Sequence, residues 1–217
     1  MAKQEIKHEQ VLNVEEAVSR SEAFINKNKK ALVTIVVALV VLIAGGVALS
    51  TYVLAPRERK AAEALFMGET YFQNGGYEAA LMEFEAVAAE HKGTKAANLA
   101  KAYAGISLAK LGRYEEAIPM LKGFKGNDVM VAPSVLAALG NCYAQVGEEA
   151  KAASTLMKAA HKADNNLLSP AYLIQAGQIY EKLGKKADAL KAYKEVKTKY
   201  YLSTQANDID KYIERVK

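Results

Sequence analysis

The sequence predicts an all-α chain: one membrane-crossing helix, then a solenoid of stacked helical hairpins closed by a terminal helix. Three observations carry this. From Ala31 to Leu54 the chain reads ALVTIVVALVVLIAGGVALSTYVL, with no charge in 24 residues. Beyond it the phrase GETYFQNGGYEAALMEF, Gly68 to Phe84, returns as GISLAKLGRYEEAIPML from Gly105, GNCYAQVGEEAKAASTL from Gly140 and GQIYEKLGKKADALKAY from Gly177. Every copy has glycine at its first and eighth positions and alanine at its thirteenth. The chain then ends in STQANDIDKYIERVK, whose apolar residues fall on one helical face.

Residues 1–30 are a charged tail. Within it NVEEAVSRSEAFINKNKK reads as a short amphipathic helix: Asn13 is a cap with Glu16 three residues on, and Val14, Val18 and Ile25 share a face. Residues 31–54 follow as the membrane helix, since 24 residues at about 1.5 Å each exceed the hydrocarbon thickness of a bilayer. Neither a small-residue cleavage site nor a lipid-bearing cysteine follows, so the helix is expected to stay as an anchor. Lys27, Lys29 and Lys30 on one flank balance Arg57, Arg59 and Lys60 on the other, so flanking charge leaves orientation open. The size asymmetry favours a cytoplasmic N-terminus, because a short charged tail stays behind while a long downstream domain is translocated. Ala44 and Ala48, or Gly46 and Ser50, have the spacing of a close helix contact, although small residues are common in membrane helices generally.

The first glycines of the copies lie 37, 35 and 37 residues apart, a period that belongs to helical arrays. Gly75, Gly112, Gly147 and Gly184 each separate two apolar helical runs, where a chain needs the left-handed conformation that glycine adopts freely. Gly68, Gly105, Gly140 and Gly177 fall inside a helix instead, where glycine costs about 1 kcal/mol relative to alanine. Close packing is the expected compensation. The second helix presents Ala80, Ala117, Ala152 and Ala189 at the facing position, and Phe84, Leu121, Leu156 and Tyr193 fill space one turn further on. Tyr71, Tyr143 and Tyr180 are expected to project toward the next unit, with Leu108 in the second copy. A lone hairpin leaves an apolar face bare, so stacking several builds one continuous core.

These Gly, Tyr, Gly, Ala and Phe or Leu positions closely resemble the signature of the tetratricopeptide repeat (TPR) family. The resemblance implies four TPR-like repeats over residues 57–202, at about 61–97, 98–132, 133–169 and 170–202, with 203–217 as a capping helix. The first-helix tryptophan of the family is absent, and the units exceed its norm of about 34 residues. Linkers such as GFKGNDVMVAP and HKADNNLLS absorb the excess. Pro119 comes early enough in its helix to remove only one hydrogen bond. Pro170 reads as a first-turn proline behind a capping Ser169. In the terminal helix Ile209, Tyr212, Ile213 and Val216 face inward, as an end cap requires.

Nothing in the sequence assembles an active site, so no enzyme activity and no cofactor or metal is expected. His8, His91 and His161 are scattered, and no phosphate-cradling glycine loop follows a strand. Glu115 and Glu116 are expected on an outer face. The single cysteine, Cys142, reads as a buried core thiol. A net charge of +5, from 29 basic and 24 acidic residues interspersed along the chain, argues against nucleic acid as a partner. Lys185, Lys186, Lys191, Lys194 and Lys197 make a basic outer face, but Asp188 and Glu195 interrupt it and no aromatic platform accompanies it.

A charged tail, one uncleaved span, an array and a terminal helix together are similar to the ancillary subunit family of the bacterial SecYEG translocon. That resemblance implies a bacterial inner-membrane protein, single-pass, with its TPR domain in the periplasm. Its partners would be translocon subunits, a membrane-anchored chaperone of the peptidyl-prolyl isomerase class, or exported polypeptides. The alternative is a structural scaffold of an envelope or cell-division complex without a chaperone-related role. An outer-membrane assembly lipoprotein is disfavoured by the missing lipid-bearing cysteine.

In arrays of this family the first helices line the concave surface. Counting from each first glycine gives Leu65, Glu69, Phe72 and Gln73 in the first unit and Ala102, Ile106 and Lys110 in the second. The third contributes Ala137, Asn141 and Gln145, and the fourth Ile174, Gln178, Glu181 and Lys182. The amides are expected to hydrogen-bond a polypeptide backbone while Leu65, Phe72, Ile106 and Ile174 cover its apolar side chains. Of the Lys and Asn ring with which chaperone-binding members grip a C-terminal carboxylate, only Asn141 is present, so a free chain end is not the expected ligand.

Overall fold

A computed structural model describes the backbone of residues 2–217 and the side chains from residue 19 onward. It divides into two units, Met1–Pro56 and Arg57–Lys217.

The first unit is helical. Helix α1 spans Ala2–Leu49 and is followed by a π turn at Ser50–Leu54. No helix begins at Asn13, because α1 passes through it. Residues 2–49 hold no proline, and their only glycines are Gly45 and Gly46, so nothing breaks the helix between tail and apolar stretch. The proposed contacts of Asn13, Val14, Glu16 and Val18 lie outside the described side chains. The π turn has a local cause. Pro56 has no N–H to donate back into the helix, and the widened turn lets the N–H of Ala55 reach the carbonyl of Ser50. Apart from half-buried Leu32, the apolar side chains from Ala31 to Leu54 stay exposed, and the helix that holds them is long and apolar enough to cross a membrane.

The second unit is a row of antiparallel hairpins. Helices α2 (Ala55–Gln73) and α3 (Tyr77–Glu90) form the first, and α4 (Lys95–Lys110) and α5 (Tyr114–Gly123) the second. Helices α6 (Val131–Gln145) and α7 (Glu149–Ala163) make the third, and α8 (Ser169–Lys182) and α9 (Lys186–Lys199) the fourth. A 3-10 turn at Thr204–Asp208 leads into α10 (Ile209–Val216). No strand occurs among the described residues.

Each hairpin turns on its second glycine, with φ of +78°, +78°, +80° and +71° at Gly75, Gly112, Gly147 and Gly184. The residue after the glycine, or the one it stands beside, sends its N–H back to the first helix. Gly76 reaches the Tyr71 carbonyl at 2.9 Å, and Glu148 and Lys185 reach Tyr143 and Tyr180 at 2.8 Å. This is a Schellman closure, which satisfies carbonyls that a helix end leaves bare.

The first glycines do lie at a close approach, but the group they admit is not the one expected. A Cβ on Gly177 would stand 2.3 Å from the Tyr193 ring, one on Gly68 2.6 Å from Phe84, and one on Gly105 2.7 Å from Leu121. The large residue sixteen positions on fills each gap. The facing alanines, all fully buried, let the helices approach, and at Gly140 the backbone oxygen of Ala152 also comes close, at 3.3 Å. Side chains in helices lean toward the N-terminus, which swings the large residue back over the glycine.

Buried side chains form three successive apolar clusters rather than one. The first joins hairpins one and two to α6, with Phe84 stacked on Tyr103 at 5.0 Å. The other two share the flanking Met157, Tyr172 and Tyr180. Helix α10 closes the row with Ile209, Ile213 and Val216 buried. Ser169 does not cap α8, for it lies inside the first turn. Its hydroxyl donates to the Ala160 carbonyl at 2.7 Å and accepts the Asn165 N–H at 3.1 Å, fastening α8 to the end of α7.

Candidate functional site

The first helices of hairpins two to four leave a trough of about 550 Å3 between them. Its floor is apolar: Ile106 and Ala109 from α4, Ala137, Ala138 and the edge of Cys142 from α6. Its rim carries Lys110, Asn141 and Gln145, all exposed, with Tyr114 at the start of α5 and Tyr172 from α8. A smaller apolar recess of about 280 Å3 shares Ile106 and Ser134 with it and extends past Leu99, Tyr103 and Met130. The residues recur three or four apart on α4 and α6, so a single face of each helix supplies both recesses.

The chemistry is that of an amphipathic cradle. Amides at Asn141 and Gln145 donate and accept, Lys110 only donates, and the floor excludes water from apolar groups laid on it. Among the described residues no group of three His, Cys, Asp or Glu side chains stands close enough to hold a metal ion. Cys142 is buried, and burial pushes its thiol pKa up to about 11, so it offers packing surface rather than a thiolate.

The sequence-derived wall divides here. Ile106, Lys110, Asn141 and Gln145 meet in the trough, together with Ala137. Ala102 lines the smaller recess, although both alanines are themselves buried. Leu65 belongs elsewhere: it is 5% exposed and packed in the first core cluster, leaving no side chain to offer a ligand. Phe72 is half-buried in an aromatic group, edge-on to Tyr77 at 5.4 Å and to Tyr103 at 5.5 Å. Gln73 is exposed at the end of α2 and Gln178 is exposed on α8, while Ile174 packs against the last core cluster. Lys182 is drawn to Glu149 of α7 in an ion pair.

Glu181 faces the cap. Arg215 of α10 donates two hydrogen bonds to it, at 2.8 and 2.7 Å, and the Tyr193 hydroxyl donates a third. The Arg215 hydrogen bond, aided by Tyr193, holds the Glu181 carboxyl below the ordinary glutamate range. Burial first, then Glu181, pushes the Tyr193 hydroxyl up.

Sequence reasoning missed Tyr172 and Ser134, which close one side of the trough through a 3.3 Å hydroxyl pair. Tyr172 lies in the first turn of α8, well ahead of Gly177, and its ring reaches back to the preceding unit. A count from the glycine on one helix carries no signal for such a reach.

Comparison with known proteins agrees with this architecture. Residues 170–198, the fourth hairpin, match the profile described as tetratricopeptide repeat. No curated protein matches the chain by sequence. Among solved structures, a tetratricopeptide repeat protein from Parabacteroides merdae superposes with a TM-score of 0.59 at 14% identity, over 73% of this chain and 60% of that one. The nearly identical TPR-like repeats of a Podosopora anserina kinesin light chain give 0.56 at 14% identity, over 72% of this chain and 85% of theirs. MamA gives 0.52 at 17% identity, over 69% and 92%. Residues 57–217 therefore have the fold of a tetratricopeptide-type solenoid.

Proposed function

We propose that this chain is a membrane-anchored interaction module that holds a segment of polypeptide in the trough between α4 and α6. The observation that carries the reading is the trough itself: an apolar floor rimmed by Lys110, Asn141 and Gln145, too open for a small metabolite and suited to an extended or helical backbone. Residues 31–54 supply the anchor, with the N-terminus cytoplasmic and the solenoid on the periplasmic side of a bacterial inner membrane. The partner in this reading belongs to the Sec translocon or its neighbourhood: a translocon subunit, a membrane-anchored isomerase-type chaperone, or an exported chain. The similarity of tail, span and array to the ancillary SecYEG subunit family supports that choice.

The test is a photocrosslinking pull-down from native membranes, with the reactive group placed at Asn141. Translocon subunits or an isomerase-type chaperone are expected in the product. Replacing Lys110, Asn141 and Gln145 together by alanine should lower recovery roughly ten-fold without moving the melting temperature, because binding energy concentrates in few side chains and these three are exposed. Phe72 is left intact, since its truncation would injure the aromatic group. Full recovery by the triple variant, with loss on deleting residues 31–54, would place the interface in the anchor. Recovery of envelope or division proteins alone would favour the scaffold reading.

A further inference from the structure

We infer that the edge of the solenoid carrying the connections between hairpins rests on an anionic lipid surface. This rests on reading residues 31–54 as a membrane span. Alternate helices of the row are antiparallel, so all hairpin turns lie along one edge and all connections between hairpins along the other. A line of cross-links confirms the second edge as a unit. Arg57 donates to the Lys92 carbonyl at 3.4 Å, and the Glu58 carboxylate accepts the Lys95 and Ala96 N–H groups at 2.8 Å each. Asn98 exchanges two hydrogen bonds with the Lys125 backbone, at 2.6 and 2.9 Å. Lys162 reaches Asn127 at 3.2 Å, and Tyr200 reaches Asp164 at 2.9 Å.

The two edges differ in surface. None of the large apolar side chains exposed in residues 57–217 sits in a hairpin turn, where Arg113, Glu148 and Lys185 accompany the glycines. The connections instead expose Val129 and Met130, then Leu167 at 67%, then Tyr201 and Leu202 at 65% and 73%. Beside them lies a cleft of about 400 Å3 lined by Lys92, Lys95, Lys101 and Lys125. Among the described residues no carboxylate pairs with these four lysines, whereas the acids of this edge are committed elsewhere. Glu58 serves the amides of α4, Asp128 accepts those of Met130 and Val131, and Asp164 takes Lys199 and Tyr200. Glu90, at the end of α3, is the exception.

Uncompensated ammonium groups beside protruding apolar side chains match a phospholipid interface, which offers phosphate charge above an acyl boundary. The covalent chain is short enough to let the edge reach it. Arg57, cross-linked to the first connection, comes three residues after Leu54, within roughly 11 Å of extended chain.

The experiment is amine acetylation of the full chain in lipid nanodiscs, read by mass spectrometry at each lysine. Discs containing phosphatidylglycerol should slow labelling of Lys92, Lys95, Lys101 and Lys125 about five-fold relative to phosphatidylcholine discs, the occupancy expected from attraction of a lysine to an anionic surface. Lys191 and Lys194, on the exposed face of α9, should label equally in both. Equal labelling of the four, in chains that have entered both discs, overturns the inference and leaves the anchor standing. Failure to enter either disc removes the anchor and this inference with it. Protection by inorganic phosphate in phosphatidylcholine discs would make the cleft a free-anion site and overturn the lipid contact. Protection confined to native membranes would assign the edge to a protein and overturn it equally.

Discussion

The first and last hairpins of the solenoid share a design but end differently. Behind the fourth hairpin α10 lays Ile209, Ile213 and Val216 into the core and sends Arg215 to Glu181. The first hairpin has Phe66 at 69% and Met82 at 69% exposure on α2 and α3, and no corresponding helix within residues 57–217 covers them. An amphipathic repeat exposes one apolar face at each end of a stack, and within residues 57–217 a helix covers only the C-terminal one. Stability should therefore be unequal along the row, with the last hairpin depending on its cap and the first tolerant of change on its outer side.

The largest effect tests that dependence directly. Ile213→Asp places a charge at a position 5% exposed and should cost about 3–5 kcal/mol, while Phe66→Asp should shift stability by less than about 0.5 kcal/mol. Thermal melts of the two variants in the same detergent decide it, and comparable losses would erase the contrast between the ends.

A smaller effect sharpens it at the glycines. Alanine in a helix recovers about 1 kcal/mol of propensity, against which its Cβ must displace a ring. Gly177→Ala meets Tyr193 at 2.3 Å, in a ring fully buried and held by Glu181 through its hydroxyl. Gly68→Ala meets Phe84 at 2.6 Å, in a ring equally buried but with no hydroxyl to tether it. The first substitution should cost about 1–3 kcal/mol net, and roughly 1 kcal/mol more than the second. Urea titration of both, with equal midpoints, would contradict the account.

The smallest effect is electrostatic. The Glu181 pKa is lowered in the folded chain, so its contribution is present above the unfolded glutamate value of about 4.3 and is lost as pH falls through the lower folded value. Glu181→Gln should cost about 1 kcal/mol at neutral pH and flatten the acid side of the stability profile, with the first hairpin contributing nothing to the difference. Melting temperatures from pH 7 down to pH 3 provide the check.

Much of this was legible in the sequence, and the failures have a common origin. The hairpin turns could be placed because a left-handed residue is a local demand, met by glycine wherever it arises. The long apolar helix was legible because its exposure needs no knowledge of neighbours. Leu65 and Glu181 were misplaced because a helical count fixes which residues share a face, while the direction of that face depends on where the next helix lies. The same blindness hid Tyr172, which reaches the trough across a unit boundary. It also assigned the gap above Gly177 to Ala189, when the leaning ring of Tyr193 takes it. The edge bearing Leu167 and Leu202 looked like ordinary linker, since residues far apart in the chain become one surface only after stacking.

The cross-links along that edge also describe a load path. Each joins one connection to the next, from Arg57 through Lys92, Asn98, Lys125, Asn127, Lys162, Asp164 and Tyr200. Tension applied at residue 57, the point where the solenoid meets the rest of the chain, is therefore borne in series. The first fastening combines the longest of these bonds, Arg57 to the Lys92 carbonyl at 3.4 Å, with the two 2.8 Å bonds that Glu58 accepts from α4. Under pull the row should yield hairpin by hairpin from the first, shedding extension in steps while the capped end still holds its fold, as a zip opens from the tooth nearest the hand.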